Sequence, residues 1–219
     1  MNPVYAASCC HVLGAAFEHG IICLCNPALH CAYKCSRIPL LIFHADAMTY
    51  TSLFSAFPRT ARLWIHVARH PVPAASQQGM RDALTSFASS WDSHGQPVSA
   101  DVAWCNDRFL FVAAHVDAAG ASVSGCATDA LVHAVSEAAQ QHEVEWAPAL
   151  SVPYRTAEGA VAVADRAAFA TLARAGTVDA TTLVFDPSLS TLGPLRDGAF
   201  EQPAATTWHA RAFPLARPA

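Results

Sequence analysis

Val98-Ser-Ala-Asp-Val-Ala-Trp104-Cys105-Asn-Asp-Arg108-Phe-Leu-Phe-Val-Ala-Ala-His115-Val116 decides the fold. Residues 98–104 alternate between apolar and polar positions, the two-residue period of a half-buried strand. Asn106-Asp107 has the chemistry of a tight hairpin turn, because both residues tolerate a left-handed backbone. The run from Arg108 to Val116 is nearly all apolar. It predicts a central strand covered on both faces.

Working outward, residues 62–68 (Arg-Leu-Trp-Ile-His-Val-Ala) read as another strand. Pro71 and Pro73 break the chain after it. Met80, Leu84, Phe87 and Trp91 recur at spacings of four, three and four, which predicts one helix over residues 74–91. Gly95 and Pro97 are expected to end it. Downstream, Asp117 to Gly125 is a loop of small residues. A second helix is expected over 126–142, with Leu131, Val132, Val135 and Ala139 inward. Residues 149–155 suit a fourth strand, confined to an edge by Pro148 and Pro153. The order is β-α-β-β-α-β, a ferredoxin-like α/β (α+β) arrangement with both helices on one sheet face. A strand (160–164), a helix (165–175) and a strand (181–185) follow as a β-α-β extension. From Asp186 the tail reads as irregular, with Trp208 as an anchor.

The first 47 residues differ in kind. Six of the eight cysteines lie there, at 9, 10, 23, 25, 31 and 35. No basic residue precedes Lys34, and Glu18-His19 interrupts the apolar run, so a signal peptide is not expected. No run approaches the roughly 20 apolar residues of a membrane helix. Cys23-x-Cys25 and Cys31-x3-Cys35 offer soft ligands, but not at a zinc-finger spacing, and no metal is assigned. The segment is expected to lie outside the fold, with Met48 as the start of a single domain over 48–219. With only Cys105 and Cys126 in that domain, a reducing cytoplasm is expected.

The formal net charge of −4 argues against a nucleic-acid partner. Lys34 is the only lysine, so the domain has no P-loop lysine for nucleotide hydrolysis and no lysine for a pyridoxal Schiff base. No cofactor is assigned. The topology brings two loops to one edge. One carries His94-Gly95; the other carries Asp117, Gly120, Ser122, Ser124, Gly125 and Cys126, with Asp129 one turn into the helix. One reading makes Cys126 a nucleophile at a helix start, His94 its base, and Asp117 or Asp129 the orienting carboxylate. Cys105 is a weaker candidate. The other reading, ranked first, is a non-catalytic ligand-binding or assembly module. In it Gly95, Gly120, Ser122, Ser124, Gly125 and the helix start hold a small anion, and the open sheet face pairs a homodimer. Metal held by Cys126, His94 and a carboxylate ranks last, since the ligands are few and mixed.

Trp91-Asp-Ser-His94-Gly95-Gln-Pro97-Val98, then Asp117-x8-Cys126 ending Val123-Ser-Gly-Cys126-x-x-Asp129, resembles a family of small uncharacterised bacterial proteins, frequent in Bacteroidetes. Its pattern runs W-x-A-H-G-x-P-V, then D-E-S-x3-V-S-G-C-S-I-D-S. The stretch Gly176 to Asp186 and the late Trp208 are also similar. Here Ala118-Ala119, Ala127, Thr128 and Ala130 depart from the pattern. Some members are labelled ABC transporter ATPases; no G-x4-G-K-[S/T] stands in this chain to support that activity.

Overall fold

The computed structural model describes residues 50–118 and 121–216, which fall in one compact unit. The cysteine-rich segment, with its metal and start-site readings, lies outside the described residues, as does Gly120. The elements are β1 (Arg62–Val67), α1 (Ala74–Ala88), β2 (Asp92–Ser93), β3 (Gln96–Cys105), β4 (Phe109–Val116) and α2 (Gly125–Gln141). Then come β5 (Val152–Arg155), β6 (Val161–Ala164), α3 (Arg166–Arg174), β7 (Leu183–Phe185), α4 (Leu192–Arg196), β8 (Glu201–Pro203) and α5 (His209–Ala212). They build a mixed α/β architecture with two antiparallel sheets, ordered β1-β4-β3-β2 and β6-β5-β7-β8. Among the described residues no helix is long and apolar enough to cross a membrane.

β4 is central, as its apolar run requires. Phe109, Phe111 and Ala113 point to one face and Leu110, Val112 and Ala114 to the other, all at most 1% exposed. Asn106 and Asp107 both take a φ of 49°, and the Arg108 N–H donates to the Cys105 carbonyl at 3.2 Å, closing the hairpin. On one face α1 supplies Met80 and Leu84, and α2 supplies Ala127, Leu131, Val135 and Ala138. Val132 does not join them: it is 49% exposed. One residue is 100° of helix rotation, so Val132 falls outside the stripe that Leu131 and Val135 define. Gly79 stands in mid-helix, where glycine ordinarily costs about 1 kcal/mol relative to alanine. A Cβ there would lie 2.2 Å from the His142 ring, so the missing side chain makes room for the end of α2.

Three corrections follow. The strand predicted over 149–155 does not complete the first sheet; it is β5, paired with β6 and β7 in the second. Beside β1 the chain makes only two isolated bridges, Arg62↔Thr191 and, just before this segment, Ala68↔Trp146. Pro148, which has no N–H to give a ladder, follows almost at once. Second, the tail is not irregular: it forms α4, β8 and α5. Leu192, Leu195, Phe200 and His209 are its buried anchors, whereas Trp208 is 44% exposed. Third, the sheet face expected to stay open for a homodimer is covered by this chain. Leu53, Phe54, Phe185, Leu192, Leu195 and Phe200 pack on Phe109 and Phe111 there.

Candidate functional site

The two loops expected to share an edge do meet, through Ser93 and Trp91. The Ser93 hydroxyl donates to the Ser122 carbonyl (3.2 Å) and accepts the Ser124 N–H (3.0 Å). The Trp91 indole N–H donates to the Ala127 carbonyl at 3.1 Å. Ser124 is the N-cap of α2, its hydroxyl accepting from the Ala127 N–H at 3.2 Å. Ser93 is 4% exposed, a buried polar group that spends its hydrogen bonds on holding the loop. Nothing in the sequence distinguished it from the other loop serines.

His94 and Gly95 do not cap a helix. α1 ends at Ala88, and the pair forms the turn between β2 and β3, with φ of 55° and 74°. Two consecutive left-handed residues in a two-residue hairpin loop match the strand twist, and histidine is among the residues that tolerate the first position. The Asp92 carboxylate fixes the turn by accepting the Gly95 N–H at 3.1 Å. His94 is left on the surface.

Cys126, second residue of α2, is free and exposed. Asp117 is engaged elsewhere, 3.2 Å from His115 Nδ1 and accepting from the Ser99 hydroxyl at 3.3 Å. Among the described residues no hydrogen bond or ion pair joins any two of Cys126, His94, Asp117 and Asp129. Gly125 opens α2 with clear space beside it. Among the described residues no cluster of three or more His, Cys, Asp or Glu side chains could hold a metal ion.

The two cysteines of the domain nonetheless differ sharply. Cys105 is buried, and burial pushes its thiol up to about 11, opposed only in part by the Arg81 charge. It therefore holds almost no thiolate near neutral pH, and the thiolate is the reactive form. Brief iodoacetamide treatment of the native chain at pH 7.5, followed by peptide mapping, should label Cys126 at least about tenfold faster than Cys105. Equal labelling would mean that the β3–β4 hairpin is open in solution.

A different set of polar groups converges where no motif pointed. A cavity of about 630 Å³ lies between the β3–β4 hairpin and the second sheet, lined by Tyr50, Trp104, Cys105, Arg155, Phe200 and Glu201 among others. Arg155 Nε donates to Glu201 at 2.5 Å and Nη1 to the Gly159 carbonyl at 2.8 Å. The hydrogen bond to Glu201 holds the guanidinium firmly charged. The Asn106 amide donates to the Tyr50 hydroxyl. Burial, reinforced by the Glu201 charge, pushes the Tyr50 phenol above its usual value. Trp104 adjoins the cavity, but its ring lies in the core on the helix side of the sheet, stacked on Trp146 (centroids 6.1 Å apart), and its indole N–H is buried there without a partner among the described residues. Arg155 and Glu201 are 46 positions apart, in a short strand and in a tail that reads as irregular, so their pairing carries no local signal.

Comparison of the chain with protein-family models, with curated proteins and with solved structures finds no match.

Proposed function

We propose that this chain is a non-catalytic binding module of a reducing, cytoplasmic setting, and that its ligand occupies the cavity between Tyr50, Cys105 and Arg155. One observation carries the reading: the Arg155–Glu201 ion pair and the Tyr50 hydroxyl converge on a cavity whose wall is otherwise largely apolar. The volume suits a small molecule, and the lining is mostly apolar with a few convergent polar groups, as ligand sites ordinarily are. The ligand expected is mainly apolar, with one acceptor for the Tyr50 hydroxyl and a polar end for the Arg155–Glu201 pair. The buried neutral thiol of Cys105 and phenol of Tyr50 are poor nucleophiles, which favours binding over chemistry.

The test is a thermal-shift screen of a metabolite library against native protein and Tyr50→Phe. The substitution keeps the ring and removes the hydroxyl. A stabilising compound should lose about tenfold in affinity in the variant, the worth of one hydrogen bond in a dry site. Compounds that stabilise both proteins equally would move the ligand elsewhere.

A second reading keeps an anion at the start of α2, where the first-turn N–H groups of Gly125 and Cys126 meet open solvent. Titration with inorganic phosphate should then shift those two amide resonances saturably. A linear, unsaturable drift would remove this reading.

A further inference from the structure

β1 is an edge strand, and part of its edge is unpaired. In the β1–β4 ladder the Ala68 N–H donates to the Arg108 carbonyl at 2.7 Å, so even-numbered residues face β4. Residues 63, 65 and 67 therefore turn their N–H and C=O groups away from it. At one end the Leu63 N–H donates to Ser190 (2.9 Å); at the other the Val67 carbonyl accepts from Ala147 (2.8 Å). Between these contacts the Leu63 carbonyl, both Ile65 groups and the Val67 N–H have no hydrogen-bond partner among the described residues. The gap spans four residue steps, roughly 13 Å. Ile65, His66 and Val67 line a groove of about 450 Å³ together with Trp146, Leu150, Asp186, Trp208 and His209 among others. Leu150 is 74% exposed and Trp208 44%, two of the three large apolar side chains that the described residues leave open.

We propose that this groove docks an extended peptide segment of a partner protein, apolar and carrying one basic side chain, which adds to β1 as a short strand. The free N–H and C=O groups call for a backbone, and in strand addition they supply affinity while flanking pockets supply specificity. Asp186 is the only charged side chain in the lining, since burial pushes both His66 and His209 down to about 4 and leaves them neutral at pH 7. The Arg166 guanidinium stands over the Trp208 ring at 5.4 Å, outside the lining, so the one charge that lines the groove is a carboxylate, which matches a single lysine or arginine. A second copy of the chain does not fit as well. The gap is walled at both ends by the chain's own contacts, and five residues are far short of the roughly 20–30 a side of a stable dimer.

Hydrogen exchange followed by NMR on the full chain tests the free edge first. The Ile65 and Val67 amides should exchange rapidly while those of Leu63 and Arg69, both bonded, are protected. A phage-displayed library of linear heptapeptides is then selected on the same chain, and the strongest binder is synthesised. It should alternate apolar residues around one Lys or Arg, and should slow exchange at Ile65 and Val67 at least tenfold. Its Kd should weaken at least tenfold in Ile65→Pro, which removes the outward N–H together with the Ile65 packing on the Phe109–Phe111 face, and in Leu150→Asp, whose exposed site leaves the fold intact. No enriched peptide, unchanged binding in both variants, or a slow Ile65 amide in the free chain would overturn the proposal. So would Ile65 protection that rises with protein concentration alongside a dimer, which would make a second copy the occupant.

Discussion

Lowering the pH from 7 to 4.5 is expected to remove about 4–5 kcal/mol of folding stability, with most of the loss below pH 6. His66 and His209 carry it. Burial pushes each imidazole down to about 4; for His209 the Asp186 charge partly offsets burial and the Arg166 charge adds to it. In the unfolded chain both titrate near 6.5. Between these values the unfolded state takes up protons that the folded state refuses. The stability is therefore fully present above about pH 6.5 and is lost as the pH falls toward 4, at about 2 kcal/mol for each histidine by pH 4.5. The structural basis is plain: His66 Nε2 is buried without a partner among the described residues, and His209 is 1% exposed with Nδ1 2.8 Å from the Thr207 hydroxyl. Urea denaturation at pH 7, 6, 5 and 4.5 measures the loss. His66→Gln should remove about half of the pH dependence. A flat profile across this range would mean that both rings reach solvent in the folded protein.

Phe111→Ala is expected to cost about 3–5 kcal/mol, the range for deleting a fully buried aromatic ring. Phe111 is 0% exposed and packs against Phe200 (ring centroids 5.0 Å apart), Tyr50 (6.0 Å) and Phe109 (6.3 Å). That loss is a large share of the 5–15 kcal/mol that holds an ordinary domain together. Val132→Ala, at an exposed helix position, should stay within about 0.5 kcal/mol. Phe111 also backs the cavity, because Tyr50 and Phe200 line it. The variant should therefore weaken any ligand there as well, and its effect should couple with Phe200→Ala rather than add to it. Denaturant midpoints at pH 7, compared between the two single variants and the pair, give the answer.

What was legible in the chain follows from period and composition. The unbroken run from Phe109 to Ala114 could only be a strand buried on both faces, and Asn106-Asp107 could only be its turn. Met80 and Leu84 marked the inward face of α1. What was not legible depends on partners distant in sequence. Residues 149–155 look like a strand whichever sheet they join, and only the departure of the chain at Pro148 decides between them. The tail alternates weakly because β8 and α4 are short, so the apolar residues that cover Phe111 read as scattered. Val132 fits an apolar stripe by type but not by angle. At the candidate site, the eye falls on His94 and Cys126 because their chemistry is conspicuous. The residues that hold that edge together are Ser93 and Trp91, whose hydrogen bonds reach 31 and 36 positions along the chain. A buried donor left without an acceptor, as at Trp104, is a property of three-dimensional packing and has no sequence signature.

The measurement that bears most directly on the binding account is the side-chain N–H region of a ¹H–¹⁵N spectrum, recorded with and without the strongest stabilising compound from the thermal-shift screen. The account predicts that the Arg155 Nε–H resonance, assigned by its loss in Arg155→Lys, moves as the ligand's polar end reaches the Arg155–Glu201 pair, while the Trp91 indole resonance, already bonded to the Ala127 carbonyl, stays in place. A stabilising compound that leaves the Arg155 resonance unmoved would contradict it.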